Sequence, residues 1–117
     1  MKTERVYLRR FTGDDWTDLY EYLSDEKVVE YEPYAPMTEE QCKNSALKRA
    51  QSDQFWAVCL VANDKLIGNI YLAEKEFANW EIGYVFNRSY QNKGYATEAV
   101  MLSIETVFEE NQAHRMY

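Results

Sequence analysis

An α+β fold, with a mixed but mostly antiparallel sheet flanked by helices, is what the sequence predicts. Three observations lead there. Several short apolar runs show the two-residue alternation or continuous β-branched and aromatic character of strands. Two segments place apolar residues at helical spacing directly behind capping-box signals. The chain order is strand, two helices, three strands, helix, then a strand fragment, so the three middle strands pair antiparallel across short turns and the last helix crosses over to a parallel neighbour.

Val6 to Phe11 reads as the first strand. Thr12 and Asp15 have capping-box spacing, and Trp16, Leu19, Tyr20 and Leu23 follow at i, i+3, i+4 and i+7, which predicts an amphipathic helix. The Glu32-Pro33-Tyr34-Ala35-Pro36 stretch breaks regular structure. Thr38 with Gln41 opens a second helix to about Gln51, its thin apolar stripe being Cys42, Ala46, Leu47 and Ala50. Phe55 to Val61 is a continuous apolar run, so it predicts a strand buried on both faces. Asn63-Asp64 suits a two-residue hairpin turn, and Leu66 to about Glu74 is the return strand, with Gly68 a candidate bulge. Trp80 to Phe86 forms another strand, with Trp80, Ile82, Tyr84 and Phe86 on one side and Glu81, Gly83 and Val85 on the other. A loop through Gln91-Asn92-Lys93-Gly94 leads into a long helix ending near Asn111. Its apolar stripe is Val100, Met101, Ile104, Val107 and Phe108, and Glu98, Glu105 and Glu109 mark the wet face. Arg115-Met116-Tyr117 reads as the opening of one more strand.

With no repeat, linker or low-complexity tract, residues 1–117 make one domain. An apolar fraction of 46% and a charged fraction of 28% are those of a soluble globular protein. No apolar stretch is long enough to span a bilayer, and Met1-Lys2-Thr3-Glu4-Arg5 has no apolar signal region, so a cytoplasmic location is expected. The net charge of −7 argues against non-specific nucleic-acid binding and suits cationic partners such as amines, or solubility alone. One histidine, His114, and two cysteines, Cys42 and Cys59, cannot assemble a Cys/His zinc site, so no metal is expected. Both cysteines sit in apolar patterns and read as buried free thiols.

The stretch that bears on chemistry is Trp80 to Ala99. A strand running through a glycine-containing loop into a helix start is a general anion site, because the first-turn N–H groups are unpaired and the helix dipole favours negative charge. Gly94 allows close backbone approach and Ala96 adds little bulk. Lys93 and Arg88 can add charge there, or can be solvated surface residues. The loop lacks the Gly-Lys-Ser/Thr ending of a phosphate-binding loop and the first two glycines of the dinucleotide fingerprint, so taken alone it reads more readily as helix capping or packing.

Gln91-x-x-Gly94-x-Ala96, placed after the fourth strand, resembles the Gln/Arg-x-x-Gly-x-Gly/Ala motif of the GCN5-related N-acetyltransferases. Glu81-Ile82-Gly83-Tyr84, the run from Tyr90 to Ala99, His114-Arg115, Leu8-Arg9-Arg10 and Leu23-Ser24-Asp25 resemble the branch of that family that acetylates ribosomal-protein N-termini. The resemblance implies the acyl-CoA N-acyltransferase fold and transfer of acetyl from acetyl-CoA to a primary amine, a protein N-terminus or a small molecule, by direct attack in a ternary complex. It implies that Gln91, Asn92, Lys93, Gly94, Tyr95, Ala96 and Thr97 bind the coenzyme pyrophosphate, and that Tyr84, Val85 and Phe86 pair with pantetheine. It further implies that a main-chain N–H near Tyr84 faces the thioester carbonyl. Glu81 is the candidate base, or else a solvent-facing strand residue, and His114 reads as structural. Trp16, Tyr31, Tyr34 and Trp56 read as core or lid packing.

The family's fold continues beyond what Tyr117 allows, with the rest of a fifth strand, a helix and two more strands. The expectation is therefore an acetyltransferase domain incomplete at its C-terminus, with an exposed sheet side that invites a homodimer. A remnant that binds coenzyme A or a partner protein without turnover is the alternative.

Overall fold

The computed structural model describes residues 2–74 and 80–115, with side chains described as far as Val107. Its elements are β1 (Val6–Arg9), α1 (Trp16–Leu23), α2 (Glu26–Val29), α3 (Glu39–Ala50), β2 (Phe55–Leu60), β3 (Leu66–Glu74), β4 (Trp80–Phe86) and α4 (Tyr95–Arg115). Short 3₁₀ turns at Gly13–Asp15 and Arg88–Tyr90 lead into α1 and towards α4. The four strands lie in the order β1-β2-β3-β4, and every pairing among them is antiparallel. The α+β class holds.

Helices cover both faces of the sheet. On one face Leu19, Tyr22 and Leu23 of α1 and Cys42 and Ala46 of α3 pack against Ala57, Cys59 and Leu66. On the other, α4 brings Ala99 against Val6, Leu8, Trp56, Val58, Ile67 and Ile70. Alternate residues of β2 therefore feed opposite cores, as the uninterrupted apolar run predicts. Cys42 and Cys59 are both buried free thiols, and burial pushes the pKa of each up.

Polar groups fix the entry to α1. Asp15 is buried, accepts the Thr12 N–H at 2.7 Å and takes both Arg9 guanidinium nitrogens at 2.8 and 2.9 Å. Burial alone would raise its carboxyl pKa, but the Arg9 fork and the Thr12 amide outweigh it and hold the group below the ordinary range. In the core, the Tyr22 hydroxyl donates to Asn69 Oδ1 at 2.7 Å, tying α1 to β3.

Several expectations need correction. The β2–β3 connection is a four-residue loop, 61–64, because the Leu60 N–H bonds the Lys65 carbonyl; only Asp64 takes positive φ, at 61°. The four-residue α2, capped by Asp25 Oδ1 accepting the Lys27 N–H, is too short to leave a periodic signal. On α3 the buried line is Cys42, Ala46 and Arg49, while Leu47 is 54% exposed and Ala50 also faces out. Arg49 replaces them because its guanidinium lies over the Phe11 and Phe55 rings. On α4, Ala99 and Ser103 are buried while Met101 and Ile104 are exposed, and Glu98, expected on the wet face, is partly covered and bonds Thr3 and Arg5. The side chains of Phe108, Glu109 and His114 lie outside the described residues. Helix α4 runs on to Arg115, where a strand start is expected, and Met116 and Tyr117 also lie outside.

Gly68 carries an irregularity as expected. Val58 pairs with Gly68 and Cys59 with Leu66, leaving Ile67 as the extra residue of a bulge. Gly68 also pairs with Phe86, and a Cβ there would come within 2.5 Å of that ring. Glycine at this point lets Phe86 lie flat on the sheet, which sets the end of β4 from which the candidate site is built.

Candidate functional site

Strand β4 has β3 on one side, and no described strand pairs with its other side. Two hydrogen bonds fix which of its backbone groups face outward. The Asn87 N–H donates to the Ile67 carbonyl at 2.8 Å, so residues of odd number along β4 direct their backbone towards β3. The Leu72 N–H donates to Gln54 on the β2 side at 2.9 Å, which gives its β4 partner Ile82 the opposite sense and agrees. The N–H and C=O of Ile82, Tyr84 and Phe86 therefore point to the open edge. The Phe86 carbonyl is taken by Gln91 Nε2 at 3.0 Å, as that geometry requires.

Asn87 ends β4 and fixes the loop. Besides its own N–H bond, its side-chain nitrogen donates to Glu21 Oε1 at 2.9 Å, and its Oδ1 accepts the Ser89 N–H at 2.9 Å. Glu21 also takes the Lys65 ammonium at 2.6 Å, which with the Asn87 amide keeps its carboxyl pKa low. Helix α1, the β2–β3 loop and the end of β4 are thus one polar assembly.

The chain then turns through Asn92, at φ 63°, and Gly94, at φ 82°. Asparagine and glycine are the residues that adopt this region most readily. The first bond of α4 runs from the Glu98 N–H to the Gly94 carbonyl at 3.0 Å, so the amides of Tyr95, Ala96 and Thr97 precede any intrahelical acceptor.

A cavity of about 390 Å³ joins these features. It is lined by Tyr84, Val85 and Phe86 of β4, by Tyr90, Gln91, Asn92 and Gly94 of the loop, and by Ala96 and Thr97 of α4. Val28 of α2 and Glu32, just after that helix, complete the wall. No lysine or arginine is among the described lining residues, so any attraction for an anion comes from main-chain amides and the start of α4. The cavity thus offers N–H groups for an anionic group at one end and, at the other, a strand edge that pairs with no strand among the described residues.

Most of the residues proposed from the sequence come together here. Lys93 and Tyr95 do not line the cavity. The Lys93 carbonyl turns to Arg5, its ammonium lies 5.9 Å from the Tyr90 ring centre, and Tyr95 packs against the α4-side core. Arg88 is 3.9 Å from Asp25 and mostly exposed. Glu81 is exposed on β4, paired in register with Ala73, and is not among the lining residues. Trp16, Tyr34 and Trp56 pack in the two cores as expected, whereas Tyr31 is 92% exposed. Val28, Glu32, Asn87 and Arg5 escaped the sequence reading. Only Asn87 left a signal, as an asparagine at a strand end ahead of a loop.

Comparison with known proteins agrees with this geometry. The model of the acetyltransferase (GNAT) domain matches residues 5–117. An uncharacterized N-acetyltransferase, YnaD of Bacillus subtilis (strain 168), is 40% identical over 119 residues, covering 97% of this chain and 68% of its own. The crystal structure of a GNAT-family acetyltransferase from Bacillus anthracis superposes with a TM-score of 0.88 at 37% identity, over 96% of this chain and 68% of that one. The aminoglycoside acetyltransferase AAC(6')-Ib, solved with coenzyme A, shares the fold alone: TM-score 0.69 and 22% identity, over 91% of this chain and 69% of that one. Among the described residues, no helix is long and apolar enough to cross a membrane. The match across nearly the whole chain, with the glycine loop and open β4 edge placed together, makes this chain a member of the acetyltransferase (GNAT) domain family, the acetyl-CoA-dependent N-acetyltransferases.

Proposed function

We propose that this chain, acting as one acetyltransferase domain, moves an acetyl group from acetyl-CoA to a primary amine by direct attack with both substrates bound. The observation that carries the reading is a single cavity running from the amides at the start of α4 to the outward edge of β4. Acetyl-CoA supplies the activated thioester. The main-chain amides of Asn92, Gly94, Ala96 and Thr97, which line the cavity, hold its pyrophosphate, with Gln91 fixing the loop through the Phe86 carbonyl. Tyr84 offers its outward N–H and C=O, and Phe86 its outward N–H, to the pantetheine amides, and Val85 also lines the cavity. The Tyr84 N–H donates to the thioester oxygen as negative charge grows there during attack, a contribution that is large in a water-poor cleft.

Glu81 accepts the amine's proton, directly or through water. Glu32 is the second reading for that role, because it lines the cavity and Glu81 does not. The resemblance to the ribosomal-protein branch supports a protein N-terminus as acceptor, with small amines as the other class.

Release of free thiol from acetyl-CoA, measured with peptide N-termini and small amines, tests the reading. Amine-dependent release is expected. Coenzyme A binding without release would leave the non-catalytic alternative. Glu81→Gln and Glu32→Gln then assign the base: the residue concerned lowers kcat by about 10²–10⁴-fold with little change in acetyl-CoA affinity. A variant with unchanged kcat and pH profile removes that residue from the role.

A further inference from the structure

We propose that Arg5 is a positioning residue for the coenzyme loop, holding the Lys93–Gly94 peptide so that its N–H faces the cavity. The proposal rests on the reading of that loop as a pyrophosphate site. Arg5 lies just before β1, far from the loop in sequence, yet its guanidinium serves two acceptors there. Nη1 donates to the Lys93 carbonyl at 3.0 Å, and Nε and Nη2 donate to Glu98 Oε1 at 3.0 and 2.8 Å. The guanidinium carbon sits 4.4 Å from the centre of the Tyr95 ring. The other Glu98 oxygen accepts the Thr3 hydroxyl. That hydroxyl oxygen in turn accepts the N–H groups of Arg5 and Val6 at 3.2 and 3.1 Å. The clasp is therefore tied into the start of β1 at one end and the first turn of α4 at the other.

Peptide geometry turns this clasp into a device. The C=O and N–H of one trans peptide point in opposite directions. Drawing the Lys93 carbonyl towards Arg5 therefore aims the Gly94 N–H the other way, and Gly94 lines the cavity. Arg5 itself does not line the cavity, and Glu98 balances its charge, so it acts through the loop and not as a phosphate ligand. An independent observation places the two in contact: a Cβ built on Gly94 would meet Arg5 Nη2 at 3.2 Å. A planar fork of donors suits two acceptors and an aromatic face at once, which a lysine ammonium does not.

The test titrates the full chain with coenzyme A and, separately, with pantetheine, which has neither pyrophosphate nor nucleotide. In the wild type coenzyme A binds more tightly. Arg5→Ala is expected to weaken coenzyme A by about 10-fold or more while leaving pantetheine unchanged. Arg5→Lys keeps the charge without the fork and is expected to fall nearly as far; it also carries the test if the alanine variant does not fold. Equal losses for both ligands, no loss for either, or full recovery with lysine would overturn the proposal. A wild type that binds coenzyme A no better than pantetheine would instead defeat the pyrophosphate reading itself, and the Arg5 proposal with it.

Discussion

Strands β2, Phe-Trp-Ala-Val-Cys-Leu, and β4, Trp-Glu-Ile-Gly-Tyr-Val-Phe, are both short and rich in aromatic and β-branched residues, yet only one of them is buried. Trp56 to Cys59 are closed in by helices on both faces and by strands on both edges. Trp80, Ile82 and Tyr84 are each at least 41% exposed, and only Phe86, at the loop end, is buried. The difference lies in the neighbours. Composition makes both segments strands, but backbone pairing and helix packing decide which one is core and which one leaves main-chain groups at an open edge.

The sharpest way to break this comparison is to shorten one side chain on each strand. Val58→Ala is expected to cost roughly 2 kcal/mol or more, because it opens a cavity in a fully enclosed position. Ile82→Ala removes more carbon and is expected to cost only about 0.5 kcal/mol or less. Urea unfolding of both variants checks the pair. Similar losses would mean that the outer part of β4 is covered in solution.

A smaller effect, that of pH, belongs to the clasp that holds the loop beyond β4. The Thr3 hydroxyl first, and the Arg5 guanidinium after it, outweigh slight burial and hold the Glu98 carboxyl below its ordinary value of 4.5. Because the folded-state pKa is the lower one, the clasp's contribution is fully present above pH 4.5. It is lost as pH falls through the folded value, where the unfolded chain binds more protons. The wild type should therefore lose stability on acidification below pH 4.5 more steeply than Glu98→Gln, by less than about 1 kcal/mol for so exposed a pair. Thermal unfolding across pH 3 to 6, roughly the interval in which carboxylates titrate, measures it. Parallel curves would mean that Glu98 does not stabilise the loop.

These contrasts also explain what was legible in the sequence. The four strands, α1, α3, α4 and the glycine loop were readable because periodicity and capping are local signals. The stripes of α3 and α4 were misjudged at Leu47, Ala50, Met101 and Ile104, since the buried face of a helix is chosen by its partners. Arg49 counts as polar on paper but lies among aromatic rings. In the site, the backbone-bearing residues were found because the loop is contiguous. Glu32 and Val28 were not, because a four-residue helix that leaves no pattern places them. Arg5 was not, because its partner Glu98 lies 93 residues away.

The coenzyme site as proposed depends on main-chain geometry at Gly94, joined to the open edge of β4. Calorimetry with coenzyme A on the wild type and on Gly94→Val tests it most directly. A β-branched residue at φ 82° is strained, by about 1–3 kcal/mol, and its Cβ would crowd Arg5. Strain of that size, released by turning the loop amides away, corresponds to about a 5- to 150-fold loss of affinity. That loss is expected with an unchanged far-UV spectrum. Equal affinities for the two folded proteins would contradict it.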